Sequence, residues 1–195
     1  GVLIGAFLGD GSYNSNVAID LSLNKEKYEI LKPLVEAAYE QVTGVKKEMS
    51  LRVDGNLYAA YIGGNGIADF VRSWVIGTTA GDKALNLDVL RESVEFREGI
   101  LFGWEATDGG NAHRTYTVSK ALVESMEILC TSLGIQTKID ISDRRDEPMV
   151  INGETFVRNF PLYCLRQFHP KNHRNKSGVY SMRNNSIYFR LTEVE

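Results

Sequence analysis

The sequence predicts an α+β fold of two pseudo-symmetric halves, each an antiparallel sheet with helices, packed through a matched pair of central helices. Three observations predict it. The segment LIGAFLGDG at positions 3–11 returns as LFGWEATDG at positions 101–109, half of the 195-residue chain later. Small residues fall in register in the two copies, at Gly1, Gly5 and Gly9 and at Gly99, Gly103 and Thr107, on one stripe of each helix. The order of strand-like and helix-like segments after the first copy recurs, with looser lengths, after the second.

Glycine inside a helix costs about 1 kcal/mol against alanine. Three at fixed spacing therefore call for a compensating contact, and a close helix crossing supplies one, because small stripes let two backbones approach. Asp10 and Asp108 follow the last small residue of each stripe. Each precedes a glycine, Gly11 or Gly109, suited to a left-handed C-terminal turn. Both carboxylates are expected side by side at one end of the helix pair. Held that close they repel unless a cation or a shared proton intervenes, and two helix C-termini add negative potential at the same spot. Such oxygen ligands suit hard cations such as Mg2+. The plainer alternative, that each Asp-Gly only stops its helix, leaves the matching stripes unexplained.

After the first copy, residues 12–23 alternate apolar and polar side chains (Val17, Ile19, Leu21, Leu23) and read as one half-buried strand. Residues 25–43 place Ile30, Leu31, Leu34, Val35 and Ala38 on one helical face, ended by Gly44. Strand-like runs at 45–54 and 56–62, split by Asp54-Gly55-Asn56, read as a hairpin. Residues 66–76 return to helical spacing. In the second half, 112–118 reads as strand, 119–133 as a helix capped by Ser119, and 135–142 as strand. A charged loop through Arg144 and Arg145 follows, then a hairpin over 149–158 turning at Asn152-Gly153, and a short helix over 161–168.

An apolar content of 43% in a chain of this length is enough to bury a core. No apolar run approaches the roughly eighteen residues of a membrane span, and an intracellular monomer without an obligate protein partner or a membrane role is expected. Cys130 and Cys164 fall in segments read as helical and apolar, without His or Cys at metal-ligand spacing, and read as reduced core residues. The net charge of −3 excludes a basic footprint over the whole surface. Its distribution is uneven: from 155 to 192 there is no Asp or Glu, while Arg158, Arg166, Lys171, Arg174, Lys176, Arg183 and Arg190 lie there with His169 and His173. Such a run is either a solvated face or a phosphate-contacting one. Glu26, Glu29, Glu36 and Glu40 gather on one helix of the first half.

Both repeated segments resemble the LAGLIDADG signature of homing endonucleases. They match its hydrophobic positions, its third-position glycine (Gly5, Gly103), its eighth-position acid (Asp10, Asp108) and its last glycine. They depart at the sixth position, usually acidic, where Leu8 and Ala106 stand; that position belongs to the packing interface in the family. The run GDKALNLDVLRESVEFREGILFGWEATDGG, positions 81–110, is similar to the approach to the second motif in intein-borne members.

The resemblance implies halves at 1–98 and 99–195 and a Mg2+-dependent, site-specific endonuclease that cuts both strands of double-stranded DNA with short 3′ overhangs. Asp10 and Asp108 would be catalytic and bind Mg2+, with the Gly9 and Thr107 carbonyls as further ligands and Ca2+ supporting binding without cleavage. Family members place a basic side chain near each metal; Lys83 occupies that place in half one, and Lys176, or else Lys171, is its counterpart in half two. The family's sheets form a saddle in the major groove. DNA contacts are accordingly expected from Tyr13, Asn14, Asn16, Lys46, Lys47, Arg52 and Tyr58, and from Asn111, His113, Arg114, Lys138, Arg144, Arg145, Arg158, Lys171 and Arg174. Arginine and lysine suit guanine edges, asparagine suits adenine, and other contacts hold phosphates. Such a protein works beside DNA, in the cytoplasm or with the nucleoid. The rival readings are a DNA-binding relative that does not cleave, an intron RNA maturase, and an interaction protein using the helix pair as a seam, which leaves the two acids unexplained.

Overall fold

A computed structural model describes residues 1–111, 113–145, 147–151, 154–157, 159–168, 180–183 and 186–189. In chain order the first half contains α1 (Val2–Asp10), β1 (Gly11–Ser15), β2 (Ala18–Leu23), α2 (Lys25–Thr43), β3 (Ser50–Asp54), β4 (Leu57–Gly63) and α3 (Ile67–Trp74). The connection carries β5 (Val75–Ile76), β6 (Ala84–Leu85) and a 3-10 turn at Leu87–Arg91. Then come α4 (Val94–Asp108), β7 (Gly109–Gly110), β8 (Arg114–Thr117), α5 (Lys120–Ser132), β9 (Gln136–Ser142), β10 (Pro148–Ile151), β11 (Glu154–Val157), β12 (Leu162–Phe168), β13 (Tyr180–Arg183) and β14 (Ser186–Phe189).

The predicted α+β fold with two sheet-and-helix halves is present. The first sheet runs β1-β2-β4-β3 and the second β7-β8-β12-β9, antiparallel throughout. β12 therefore takes the place of β4, and β9 that of β3. The hairpin β10–β11 is inserted between them, and its turn residues Asn152 and Gly153 lie outside the described residues.

Helix α2 has the predicted bounds. Asn24 caps it by accepting the Lys27 N–H at 2.9 Å, and Gly44 closes it in the left-handed conformation that favours glycine (φ 71°). Its buried face is Leu31, Val35 and Tyr39, whereas Ile30 and Leu34 are 48% and 38% exposed. The core-facing stripe is thus turned from the predicted one, because Tyr39, an amphipathic residue, faces inward and its hydroxyl donates to the Gly63 carbonyl at 3.3 Å. Ser119 caps α5 as expected, accepting the Leu122 N–H at 3.1 Å.

Three expectations are corrected. Residues 12–23 are two strands, not one: β1 and β2 fold back on each other through Asn16–Val17, a turn without Gly or Pro in which the Ser15 hydroxyl accepts the Val17 N–H at 3.3 Å. Residues 161–168 hold no helix; β12 lies there, with β8 on one edge and β9 on the other. A short apolar run does not separate strand from helix by periodicity, and here two waiting strand edges decide. Cys164 consequently sits in a strand, half-buried, while Cys130 is buried in α5 as expected, and both are free thiols.

One core joins the halves. It includes Leu3, Ile4, Phe7 and Leu8 of α1, Leu31 and Val35 of α2, Ile62 of β4, Ile100 and Trp104 of α4, Leu129 of α5 and Leu165 of β12. Among the described residues no helix is long and apolar enough to cross a membrane.

Candidate active site

α1 and α4 pack at backbone contact, and the predicted stripe is the seam. A Cβ on Gly5 would lie 2.7 Å from the Trp104 backbone nitrogen and closer still to the Ile100 carbonyl oxygen. A Cβ on Gly103 would lie 2.7 Å from the Ala6 nitrogen. Gly9 meets Thr107, the larger last member of the stripe; a Cβ there would come 2.7 Å from the Thr107 Cβ. Thr107 is only 2% exposed and donates its hydroxyl within α4, to Gly103 and Trp104 carbonyls at 3.1 and 2.9 Å.

Beyond the seam the chain leaves each helix straight into a strand. Gly11 (φ −89°, ψ 155°) and Gly109 (φ −69°, ψ 142°) are extended, so the left-handed turns expected after Asp10 and Asp108 do not form. Glycine is needed there for space instead: a Cβ on Gly11 would sit 2.5 Å from Phe7 Cα, and one on Gly109 3.0 Å from the Glu105 carbonyl carbon. This direct exit holds both acids at the ends of their helices. Asp10 and Asp108 line one cavity of about 300 Å³ with Leu8, Gly9, Ala80, Tyr116, Thr117, Val118 and Leu162.

Two lysines answer the carboxylates. Lys27, in the first turn of α2, places Nζ 2.9 Å from Asp10 Oδ2. The same residue gives its backbone N–H to the Asn24 cap, so the start of α2 aims the pair. Sequence reading missed Lys27, which lies far from Asp10 along the chain and carries no local signal. Lys83, 3% exposed, donates to the carbonyls of Phe7 at 2.8 Å, Gly11 at 2.7 Å and Leu8 at 3.4 Å. Phe7 and Leu8 lie in the last turn of α1 and Gly11 just past it; the Phe7 carbonyl also accepts the Gly11 N–H, and a cation there meets the negative end of the helix dipole. Its backbone is fixed from the other half, where the Ser119 hydroxyl donates to the Lys83 carbonyl at 2.6 Å. Burial lowers the Lys83 pKa, and the charges of Asp108, Asp10 and Asp82 oppose that.

Burial pushes the Asp108 carboxyl up to about 7; the neighbouring Asp10 charge adds to this, and Lys27 and Lys83 oppose it. In the unfolded chain the same carboxyl ionises near its ordinary value of 3.8. Between those values the folded form holds a proton that the unfolded form has lost, so stability rises as pH falls from about 7 toward about 4. The expected result for metal-free protein is a higher Tm at about pH 5.5 than at about pH 8, with Asp108→Asn raising Tm at the higher pH and flattening the difference. Parallel Tm–pH curves for the two proteins, by scanning calorimetry, would contradict the buried charge.

The sheets bring some predicted interface residues together and separate others. On the second sheet Arg114 and Tyr116 of β8, Cys164 and Arg166 of β12, and Lys138 and Asp140 of β9 share the face turned from the helices, since the alternating Thr115, Thr117, Leu165 and Gln167 are buried. Arg166 was read only as part of the basic run, and its cross-strand position gives it this place. On the first sheet Arg52 and Asn14 are exposed, and Asn14 donates to Asp20 at 2.7 Å. Tyr58 lies on the helix side, its ring 5.7 Å from Tyr28 of α2. Tyr13 packs with its ring 4.6 Å from the Phe7 ring, with the Arg72 guanidinium over it at 4.8 Å and its hydroxyl buried. Asn16 is in the β1–β2 turn, its carbonyl accepting from Arg72 at 2.9 Å. Lys46 is exposed before β3, while Lys47 donates to the Gly63 carbonyl. Asn111 and His113 (φ 54°) lie exposed between β7 and β8. Arg144 and Arg145 pair with Glu147 and Asp143 in the loop after β9. Arg158, Lys171, Arg174 and Lys176 lie outside the described residues.

Two halves, each with a four-stranded antiparallel sheet, joined by a glycine-seamed helix pair with an acid at each end, define the class of fold. Solved structures of the homing endonuclease I-DmoI share it. A set of mesophilic variants of I-DmoI superposes with a TM-score of 0.58 at 16% identity, over 86% of both chains. I-DmoI in complex with DNA and Ca gives 0.59 at 15% identity, over 86% of this chain and 81% of that one. The complex with DNA and Mn gives 0.58 at 16%, over 86% and 87%. No protein-family model and no curated protein matches the sequence. The likeness is one of fold, and it agrees with the architecture that the LAGLIDADG resemblance implies.

Proposed function

We propose that this protein is a site-specific endonuclease of the homing type, hydrolysing one phosphodiester bond in each strand of a long, asymmetric DNA duplex with a divalent metal, Mg2+ by preference. The observation that carries the proposal is the meeting of Asp10 and Asp108 in one cavity at the joined ends of α1 and α4. A structural seam has no use for two acids there, one of them buried at a cost. The protein's two halves are the segments on either side of the 75–91 connection, the second beginning with α4 a few residues before the expected division at 98/99.

The donor set fits Mg2+. Among the described residues no group of three or more His, Cys, Asp or Glu gathers, and Mg2+ is typically held by one or two carboxylates, several waters and substrate phosphate. Asp10 and Asp108 would hold the metal, with Gly9, which also lines the cavity, and Thr107 supplying carbonyls. A bound metal activates water and stabilises charge on the phosphoryl and leaving oxygens. Lys83 holds the end of α1, and with it Asp10, in place, while its charge offsets that of the acids. Lys27 steadies Asp10, and Lys176 is retained as the second basic partner. Complexes of I-DmoI with DNA and Ca or Mn support a divalent cation, and the similarity of 81–110 to intein-borne members supports an intein setting.

The test is to capture duplexes from a randomised pool in Ca2+, exchange into Mg2+, and sequence the new ends. Breaks at one long motif are the expected result. Enrichment without breaks would move the assignment to a binding protein, and no enrichment would remove duplex DNA.

A further inference from the structure

We propose that the outer face of the second sheet is a guanine-reading surface, in which Arg114, Arg166 and Lys138 engage guanines of one half-site and Asp140 positions Arg166 and Lys138. This rests on the endonuclease reading and adds to it a base composition for one half of the target.

Strand register builds the surface. Arg166 of β12 stands opposite Arg114 of β8 on one side and Lys138 of β9 on the other, so three cations form a single row across three strands. The adjacent row is Tyr116, Cys164 and Asp140. Asp140 accepts from Arg166 Nη2 at 2.7 Å and pairs with Lys138 Nζ at 2.8 Å. These contacts, the Lys138 hydrogen bond first, hold its carboxyl below the usual carboxylate range. Arg114 Nε and Arg166 Nε are buried without a hydrogen-bond partner among the described residues, and Asp140 is the one acid in the two rows. A single acid thus orients a net positive row without neutralising it.

The first sheet turns a different chemistry outward. Its corresponding rows are Ser12, Asp20, Tyr61 and Ser50, and Ser22, Ala59 and Arg52, with Asn14 bonded to Asp20. It has one cation where the second has three, and Asp20 balances that one. A guanine presents two acceptors, N7 and O6, in the major groove, and only a pure donor such as Arg or Lys satisfies both. A guanidinium already held by a carboxylate loses less side-chain freedom on binding. Charge and donor complementarity therefore assign guanine-containing duplex to the second sheet, and place no such demand on the first.

Selection from a randomised duplex pool in Ca2+ tests this with the wild-type protein, Arg166→Met and Asp140→Asn. Wild type should enrich duplexes whose guanines concentrate in one half-site. Arg166→Met should lose about tenfold or more of the preference at a guanine position and keep the base preferences of the other half-site. Asp140→Asn should relax the same position while binding random duplex at least as tightly, since it removes a negative charge. A purely structural role for Asp140 would weaken both. Cys164, on the same face, gives a readout that needs no substitution: its alkylation by maleimide should slow when duplex is bound. Arg166→Met lowering affinity equally for every sequence, or alkylation indifferent to bound duplex, overturns the guanine surface alone. Failure of the wild type to enrich any duplex overturns the endonuclease reading and this inference with it.

Discussion

Asp10→Asn and Asp108→Asn should each lower double-strand cleavage by roughly a thousandfold or more while duplex binding in Ca2+ stays within a few-fold of wild type. Asparagine keeps the shape of the carboxylate and removes its charge, and the charge is what a hard cation requires. Binding should be spared because the proposed base and phosphate contacts lie on the sheets, whereas the acids stand at the ends of α1 and α4. The two substitutions should also part company in stability. Asp108→Asn relieves a buried charge above about pH 7 and stabilises the fold, so its loss of activity cannot be ascribed to unfolding. Gel-shift and cleavage assays on one selected duplex, run beside thermal melts, separate these effects. Full cleavage by either variant would refute a shared site.

Gly5→Ala should destabilise the protein by about 3 kcal/mol or more, at the upper end of the range for overpacked cores, and Gly103→Ala should do likewise. The sign decides between two pictures of α1 and α4. In a helix with space around it, glycine to alanine stabilises by about 1 kcal/mol. In the seam observed here the new methyl would fall against the Ile100 carbonyl or the Ala6 nitrogen, both backbone atoms that side-chain repacking does not move. The helices would have to separate, opening the packing of Phe7 and Trp104 and parting the two acids. Urea denaturation provides the measurement, and a stabilised Gly5→Ala protein would show that the helices do not touch at backbone distance.

Much of this site was legible in the sequence because its cause is local and repeated. The stripe of small residues, the acid after it and the closing glycine lie within single segments, and duplication made them visible. Helix α2 was legible for a similarly local reason, its end marked by Gly44, whereas the Asn24 cap emerged only with the fold. What escaped depends on distant partners. The end glycines were assigned a left-handed turn from their position, whereas the strand that follows each helix demands close passage of an extended chain. The segment that became β12 is apolar enough for either element, and the edges of β8 and β9 made it a strand. Lys27 reaches Asp10 only through the docking of α2, and Arg166 joins Arg114 and Lys138 only through cross-strand register. Lys83 was found through the resemblance, but its three carbonyl partners at the end of α1 required the fold.

The most direct measurement is the position of the two broken bonds on a selected duplex, each strand end-labelled in turn. Two acids in one cavity of about 300 Å³ predict one break per strand, the pair facing each other across a single minor groove and staggered by less than about half a helical turn. Breaks a full turn or more apart, or a nick confined to one strand at all times and metal concentrations, would contradict a common site formed by Asp10 and Asp108.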